Sequence, residues 1–447
     1  MGLVAALASA CARTPPAAVP GAPYVVLVTI DTLRADATSP YGAPEDDTPH
    51  LAAFARESVQ FERASTTMPT TGPAHLSILT GLYPQQHGAL QNGAAARPGT
   101  RSLAEIMRRS GRRTAAFVSV HHLSRETLGL EGFDEWDAPV DVRDGEDTVA
   151  AATRWIDAQD GAPFFLWVHL FDPHQPYKAH AGTPGEVAAR LAALGSVEVP
   201  AHGGFAAANV TPAQQEKLGL LYRADVHYAD QQLGRLLEFL DGRGIAQRAA
   251  VVVTSDHGEV LGEALSEFGY GYDHGEFLLP MEVRVPLWVR LPEGRRGVRE
   301  ERSSETRAVF GALAAAVGLS QPGAPVLPGL GFSADQPLPA DGAFVVRRSF
   351  RAPNLPAVLR GTRLGIARDD TLIVRVAQDD RVRVDAWQYG PQAPTGLVRV
   401  SPGEAQLASS LGAIQGWVDA LGGAGAAPAQ PVDDATRDRL RALGYMD

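Results

Sequence analysis

Four apolar runs of strand length each end on residues able to hold a metal ion or move a proton. YVVLVTI (24–30) is followed by Asp31, and TAAFVSV (114–120) by His121 and His122. FFLWVHL (164–170) leads into Asp172 and His174, and AAVVVTS (249–255) into Asp256 and His257. A lone aspartate after a strand usually caps a helix or sits in a solvated loop. Four runs that each deliver Asp or His form a mixed carboxylate–imidazole set, which suits a divalent cation with acid–base groups around it. A hydroxyl completes the chemistry. In TTMPTTGPAHLSILTGLYP (66–84), Pro73 suits the first turn of a helix and Thr71 falls at its N-cap or one residue earlier. The free N–H groups there favour an anion. A hydroxyl held against a divalent cation can lose its proton and act as a nucleophile.

The elements that must position these groups are legible as well. The apolar runs, with PLWVRL (286–291), lack polar alternation, as strands covered on both faces do. Helical patterns lie between them. SLAEIMRRSG has a capping box from Ser102 to Glu105, and residues 214–240 carry a 3.6-residue stripe of leucines. This alternation predicts an α/β fold, a doubly wound and mostly parallel sheet flanked by helices. In such sheets ligands bind beyond the carboxyl ends of the strands, where the Asp and His residues fall. A Gly-, Ala- and Pro-rich stretch at 181–212 reads as an insertion, and another at 320–342 as a boundary. Past it, AFVVRRSF, LIVRVAQ and RVRVDAWQY with two helical patterns predict a smaller C-terminal α+β subdomain. The expected division is 1–23, 24–330 and 331–447.

The 447 residues carry a net charge of −11 with both signs interspersed, which argues against nucleic acid as the main partner. The single cysteine, Cys11, excludes an intrachain disulfide. MGLVAALASAC resembles a bacterial lipoprotein signal, with Cys11 lipidated and RTPPAAVPGAP as a tether. That implies the cell envelope, on its periplasmic or extracellular face. No apolar run after the N-terminus is long enough to span a membrane.

Taken in order, the motifs resemble the sulfatase family of the alkaline phosphatase superfamily. The likeness rests on DTLRADATSPYG (31–42), TGPAHLSILTGLYPQQHG (71–88), TAAFVSVHHL, GLEGFDEWD, FFLWVHLFDPHQPY, VVVTSDHGEVLGE and HGEFLLPMEVRVPLWVRLP. SPGEAQLAS and LRALGYMD extend it to the C-terminus. By register, the resemblance implies that Asp31, Asp256 and His257 hold a divalent metal with Thr71 at the nucleophile position. It further implies that His174 protonates the leaving group, that His121 follows the second strand, and that His274 stands where many members have a lysine. His75 takes the place of the arginine after the nucleophile. Two departures matter: Thr32 replaces a second aspartate, and Thr71 cannot become the formylglycine that ordinary sulfatases derive from Cys or Ser. A threonine there resembles the superfamily's phosphodiesterases and lipoteichoic acid synthases.

The expected activity is therefore metal-dependent hydrolysis of phosphoric mono- or diesters, or phosphoryl transfer, through Thr71. The alternatives are a sulfuric ester hydrolase that dispenses with formylglycine, and a non-catalytic surface lipoprotein. The ligand set favours Zn²⁺, Mn²⁺ or Mg²⁺ over Ca²⁺. A second metal would fall to Asp172, His174 and His274. Small anionic esters of sugars, lipids or envelope polymers are the expected substrates. His122 stands open beside His121; His169 reads as core packing; His50, His87, His180, His202 and His227 read as structural or solvated.

Overall fold

The computed structural model describes residues 21–200, 203–319, 321, 323–330, 342–347, 361–378, 381–393 and 396–421. Cys11 with most of its tether, His202, most of the 320–342 stretch and LRALGYMD lie outside the described residues.

The central sheet has eight strands: β1 (Tyr24–Ile30), β2 (Val59–Phe61), β3 (Arg113–Val118), β4 (Glu135–Asp137), β5 (Phe164–Leu170), β6 (Ala249–Ser255), β7 (Leu287–Arg290) and β8 (Val298–Glu300). Their spatial order is β4-β3-β5-β1-β6-β7-β2-β8. Every pairing is parallel except those of β7, which runs antiparallel to β6 and β2. The five runs expected as strands are strands. All seven residues of β1, β5 and β6 are buried, as a sheet covered on both faces requires.

Because successive side chains point to opposite faces, each central strand feeds two cores. Val25, Leu27, Phe165, Trp167 and Val252 pack with Leu76 and Leu79 of the Thr71–Thr80 helix. Val26, Val28, Leu166 and Val251 pack on the other face with Leu233 and Leu236 of the Pro212–Gly242 helix. The latter has a reciprocal capping box, Thr211 with Gln214, and Pro at its first position. The insertion at 181–212 contains a helix, Gly185–Leu194, with only Val187 fully buried.

A second sheet is wholly antiparallel, with strands β9 (Ala343–Val346), β10 (Thr362–Arg368), β11 (Thr371–Gln378) and β12 (Arg381–Gln388) in sequence order. With the Glu404–Ala420 helix it forms the expected C-terminal α+β unit. Its core includes Phe344, Ile366 and Trp417 together with Met68 and Tyr83 from either side of the Thr71–Thr80 helix. Glu305 links the two parts: its carboxylate accepts from the Tyr83 hydroxyl (2.8 Å), Arg307 Nε (2.6 Å) and the Phe344 amide (2.7 Å). The Val346 amide bonds the Thr67 carbonyl, four residues before Thr71.

Candidate active site

The in-register pairing explains how the site assembles. Thr29 of β1 is level with His169 of β5 and Thr254 of β6. Asp31 and Asp256 lie two residues beyond Thr29 and Thr254, so both project on the face that carries the Thr71–Thr80 helix. Asp31, Asp256 and His257 bring one ligand atom each to within 4.8 Å of one another, and all three are fully buried.

These residues fit a divalent cation. Both carboxylate oxygens of Asp31 and Oδ2 of Asp256 are buried without a hydrogen-bond partner, a costly arrangement unless a cation completes it. Asp256 Oδ1 is occupied, accepting from the amides of His257 (2.9 Å) and Thr32 (3.3 Å), which leaves Oδ2 to face inward. His257 Nδ1 lies 2.9 Å from the Gly258 carbonyl and must donate to it, so Nε2 presents its lone pair toward Asp31 (3.8 Å) and Asp256 (3.3 Å). Burial drives the Asp31 carboxyl up to about 7, with His257 opposing the shift. Burial, and then Asp31 itself, raises Asp256. Two acids crowded in this way call for a cation.

Thr71 is the first residue of its helix, with extended Thr70 as the N-cap, so the helix begins slightly earlier than the Gly-Pro pair suggests. Its Oγ1 lies 3.3 Å from His257 Nε2. Thr70 makes no side-chain cap; instead Asn92 Oδ1, from a distant loop, accepts the Gly72 amide at 2.7 Å.

The histidines divide into two groups. His174 and His274 are near the ligands: the His274 ring is 4.2 Å from that of His257 and 5.2 Å from that of His174. His174 Nδ1 donates to the Gln175 carbonyl at 2.7 Å, and burial lowers its pKa to about 3. His274 Nδ1 is 3.2 Å from Glu259 Oε1, and Asp273 completes a Glu259–Asp273–His274 cluster. His75 lies beneath Thr71, with one ring nitrogen 2.8 Å from the Thr71 carbonyl and the other 3.0 Å from Thr29 Oγ1. With both nitrogens engaged, His75 offers no N–H to a substrate oxygen, although it stands in the place of the arginine that follows the nucleophile.

Three further placements differ from expectation. His121 is half-buried with Nδ1 3.3 Å from the Pro139 carbonyl, whereas His122 is fully enclosed, and burial holds its imidazole well below the ordinary value. His169 is more than packing: its Nε2 is 3.4 Å from Asp31 Oδ2 and its ring stands edge-on to His75 at 5.0 Å. Strand parity would have found it, since it shares a face with Thr29. Asp172 does not join His174 and His274. It clusters with His180 and Asp225, and its Oδ2 accepts the Gly145 amide at 2.9 Å.

A family model described as Sulfatase matches residues 23–318. The Ulvan-active sulfatase of Formosa agariphila is 28% identical over 277 residues, covering 54% of this chain and 52% of that protein. A multifunctional alkaline phosphatase superfamily protein of Trinickia caryophylli is 23% identical over 347 residues, covering 58% and 68%. The chain thus spans about half the length of the first of these relatives. Among solved structures, the phosphonate monoester hydrolase of Agrobacterium radiobacter superposes with a TM-score of 0.68 at 20% identity, covering 90% of this chain and 96% of the other. That of Silicibacter pomeroyi gives 0.65 at 19%, covering 89% and 94%.

Proposed function

Since the chain belongs to the sulfatase family of the alkaline phosphatase superfamily, we propose that it is a metal-dependent hydrolase of anionic esters that uses Thr71 as its nucleophile and acts on phosphoric or phosphonic esters. One observation carries this reading. The Thr71 hydroxyl stands at a helix N-terminus, 3.3 Å from His257 Nε2, beside the cation-ready carboxylates of Asp31 and Asp256. A divalent cation held by Asp31, Asp256, His257 and Thr71 would lower the hydroxyl pKa and neutralise a non-bridging oxygen of the ester.

The chain's own groups do the rest. Thr71 Oγ1 forms a bond to phosphorus in line with the departing alcohol. His174, its Nδ1–H held by the Gln175 carbonyl and its ring beside His274 and the metal-binding candidates, is the group that carries a proton to that alcohol. Negative charge brought by the substrate favours the imidazolium that burial alone disfavours. Water, or an acceptor alcohol, then attacks phosphorus and releases Thr71. The family's sulfuric esters are the second reading, supported by the similarity to the Formosa agariphila sulfatase and opposed by a threonine that cannot yield an aldehyde. Lipidation at Cys11 would direct the enzyme to envelope esters of sugars, lipids or polymers.

The test is an assay of purified protein with Zn²⁺, Mn²⁺, Mg²⁺ or Ca²⁺ on nitrophenyl phosphate mono- and diesters, a phosphonate ester and a sulfate ester. Metal-dependent phosphoester or phosphonate turnover that Thr71→Ala lowers at least about 10³-fold supports the reading. Preferential sulfate ester turnover replaces it with the second.

A further inference from the structure

Beneath Thr71 runs a chain of hydrogen bonds whose direction is fixed at both ends. Trp167 Nε1 is 3.0 Å from Thr29 Oγ1, and an indole N–H can only donate. Thr29 Oγ1 is 3.0 Å from His75 Nε2, and His75 Nδ1 is 2.8 Å from the Thr71 carbonyl. A carbonyl can only accept, so the Nδ1 proton is required; Nε2 therefore accepts, and the Thr29 hydroxyl donates to it. All four residues are fully buried, so water does not substitute for any link.

We propose that Trp167, Thr29 and His75 form a positioning relay that fixes the nucleophile Thr71 against the sheet. The imidazole is where the parts of the site meet. It holds the first carbonyl of the Thr71–Thr80 helix, leans on β1 through Thr29 and on β5 through Trp167, and brings Nδ1 to 3.6 Å from Asp256 Oδ2 at the end of β6. The ring is wedged by Trp167 (5.4 Å between centroids) and His169 (5.0 Å, edge-on). A helix could otherwise slide along the apolar face beneath it, since burial is non-directional. The relay gives Thr71 a fixed height relative to Asp31 and Asp256, and misplacement of a reacting group by about 1 Å costs roughly 10²-fold in rate. Trp167, Thr29 and His75 touch no substrate and act through Thr71.

This assignment rests on Thr71 being the nucleophile, and its test separates the two. Thr29→Val keeps the β-branched shape and removes the hydroxyl. Its kcat is expected to fall about 10–100-fold, with KM and bound metal unchanged, and Thr29→Ser is expected to restore kcat to within about threefold. Trp167→Phe, which removes the first donor together with part of a buried ring, is expected to lose about 3–10-fold. An unchanged kcat in Thr29→Val overturns the proposal, as does a Thr29→Ser variant as impaired as Thr29→Val. A readout independent of turnover is ¹⁵N NMR of the histidines, with His75 assigned by difference from His75→Gln. A His75 signal of the Nδ1–H tautomer in the wild type supports the relay; an Nε2–H tautomer overturns it. If turnover does not depend on Thr71, the nucleophile reading fails while the tautomer still decides the hydrogen-bond chain.

Discussion

Thr32 donates its backbone amide to Asp256 Oδ1 at 3.3 Å from a left-handed conformation, φ 52°, that a β-branched residue rarely adopts. Such strain costs on the order of 1–3 kcal/mol and persists where its surroundings demand it. Here it closes the gap between the ends of β1 and β6, and the Tyr222 hydroxyl holds the Thr32 carbonyl at 2.9 Å. Thr32 thus contributes a backbone amide, and no carboxylate, to the metal-binding candidate Asp256. Thr32→Asp is expected to raise Ca²⁺ affinity at least about tenfold, or about 1.4 kcal/mol, because Ca²⁺ favours extra oxygen ligands. Calorimetric titration that shows no gain in Ca²⁺ affinity would place residue 32 outside the coordination shell.

Metal binding should weaken in acid in a specific range. Asp31 sits at about 7 in the metal-free protein, mainly through burial, and must lose its proton to bind a cation. Through this one proton, affinity is therefore expected to fall below pH 7 with a slope approaching about tenfold per pH unit and to level off above it. A competition titration with a chromophoric chelator between pH 5.5 and 8.5 measures this; a flat profile contradicts it.

Asp172 offers a stability test with the opposite slope. Burial first, and then Asp225, raise its pKa from 3.8 to about 6 in the folded state. Between those values the unfolded chain releases its proton before the folded one does, so stability falls as pH rises through this window and stays lower above it. Two pKa units correspond to roughly 3 kcal/mol at most. Asp172→Asn keeps an acceptor for the Gly145 amide and should raise Tm at pH 8 relative to wild type while leaving it nearly unchanged at pH 4. Equal effects at both values would rule out the titration as the cause.

Gly258 follows the two metal-binding candidates of the 256–257 pair and passes close to another chain segment. A Cβ there would stand 1.9 Å from the Met281 carbonyl oxygen, while its amide bonds the Glu282 carbonyl at 2.9 Å. Gly258→Ala is expected to cost about 1–3 kcal/mol and to lower metal affinity with it, because the displaced loop carries His257. Full retention of metal affinity in this variant would show that the loop can yield without moving its ligand.

His121 and His122 should separate cleanly. His122 is enclosed beside His75, His169 and His174, and His121 lies nearer the surface. His122→Ala is expected to lower kcat/KM at least about tenfold, and His121→Ala less than about threefold. The reverse ranking would return the role to His121.

The sheet was legible because β1, β3, β5 and β6 are long, apolar and bounded by polar residues; their ends put Asp31, Asp256 and His257 among seven Asp and His candidates, and the family resemblance singled those three out. Strands of three residues such as β2, β4 and β8 have no room for a period and form only because a neighbouring strand offers them an edge. Asn92 was hidden for another reason: it caps Gly72 from 20 residues away in a loop with no pattern of its own. His169 was discarded as packing because it lies within an apolar run, although counting alternate residues back from Asp31 to Thr29 and across to β5 points directly at it. Charge partners and tautomers, as at His75, depend on which three elements meet around the ring.

The buried Glu305 carboxylate, shared among Tyr83, Arg307 and Phe344, makes the seam between the two sheets a poor place to cut. Exchanging the C-terminal sheet for that of a relative would take from Glu305 the Phe344 amide, leaving it Tyr83 and Arg307, and would disturb the packing over Met68 and Tyr83 at the two ends of the helix that carries Thr71. Recombination in this protein should therefore succeed at surface insertions such as Gly185–Leu194, where little is buried, and fail at the boundary that composition marks most clearly.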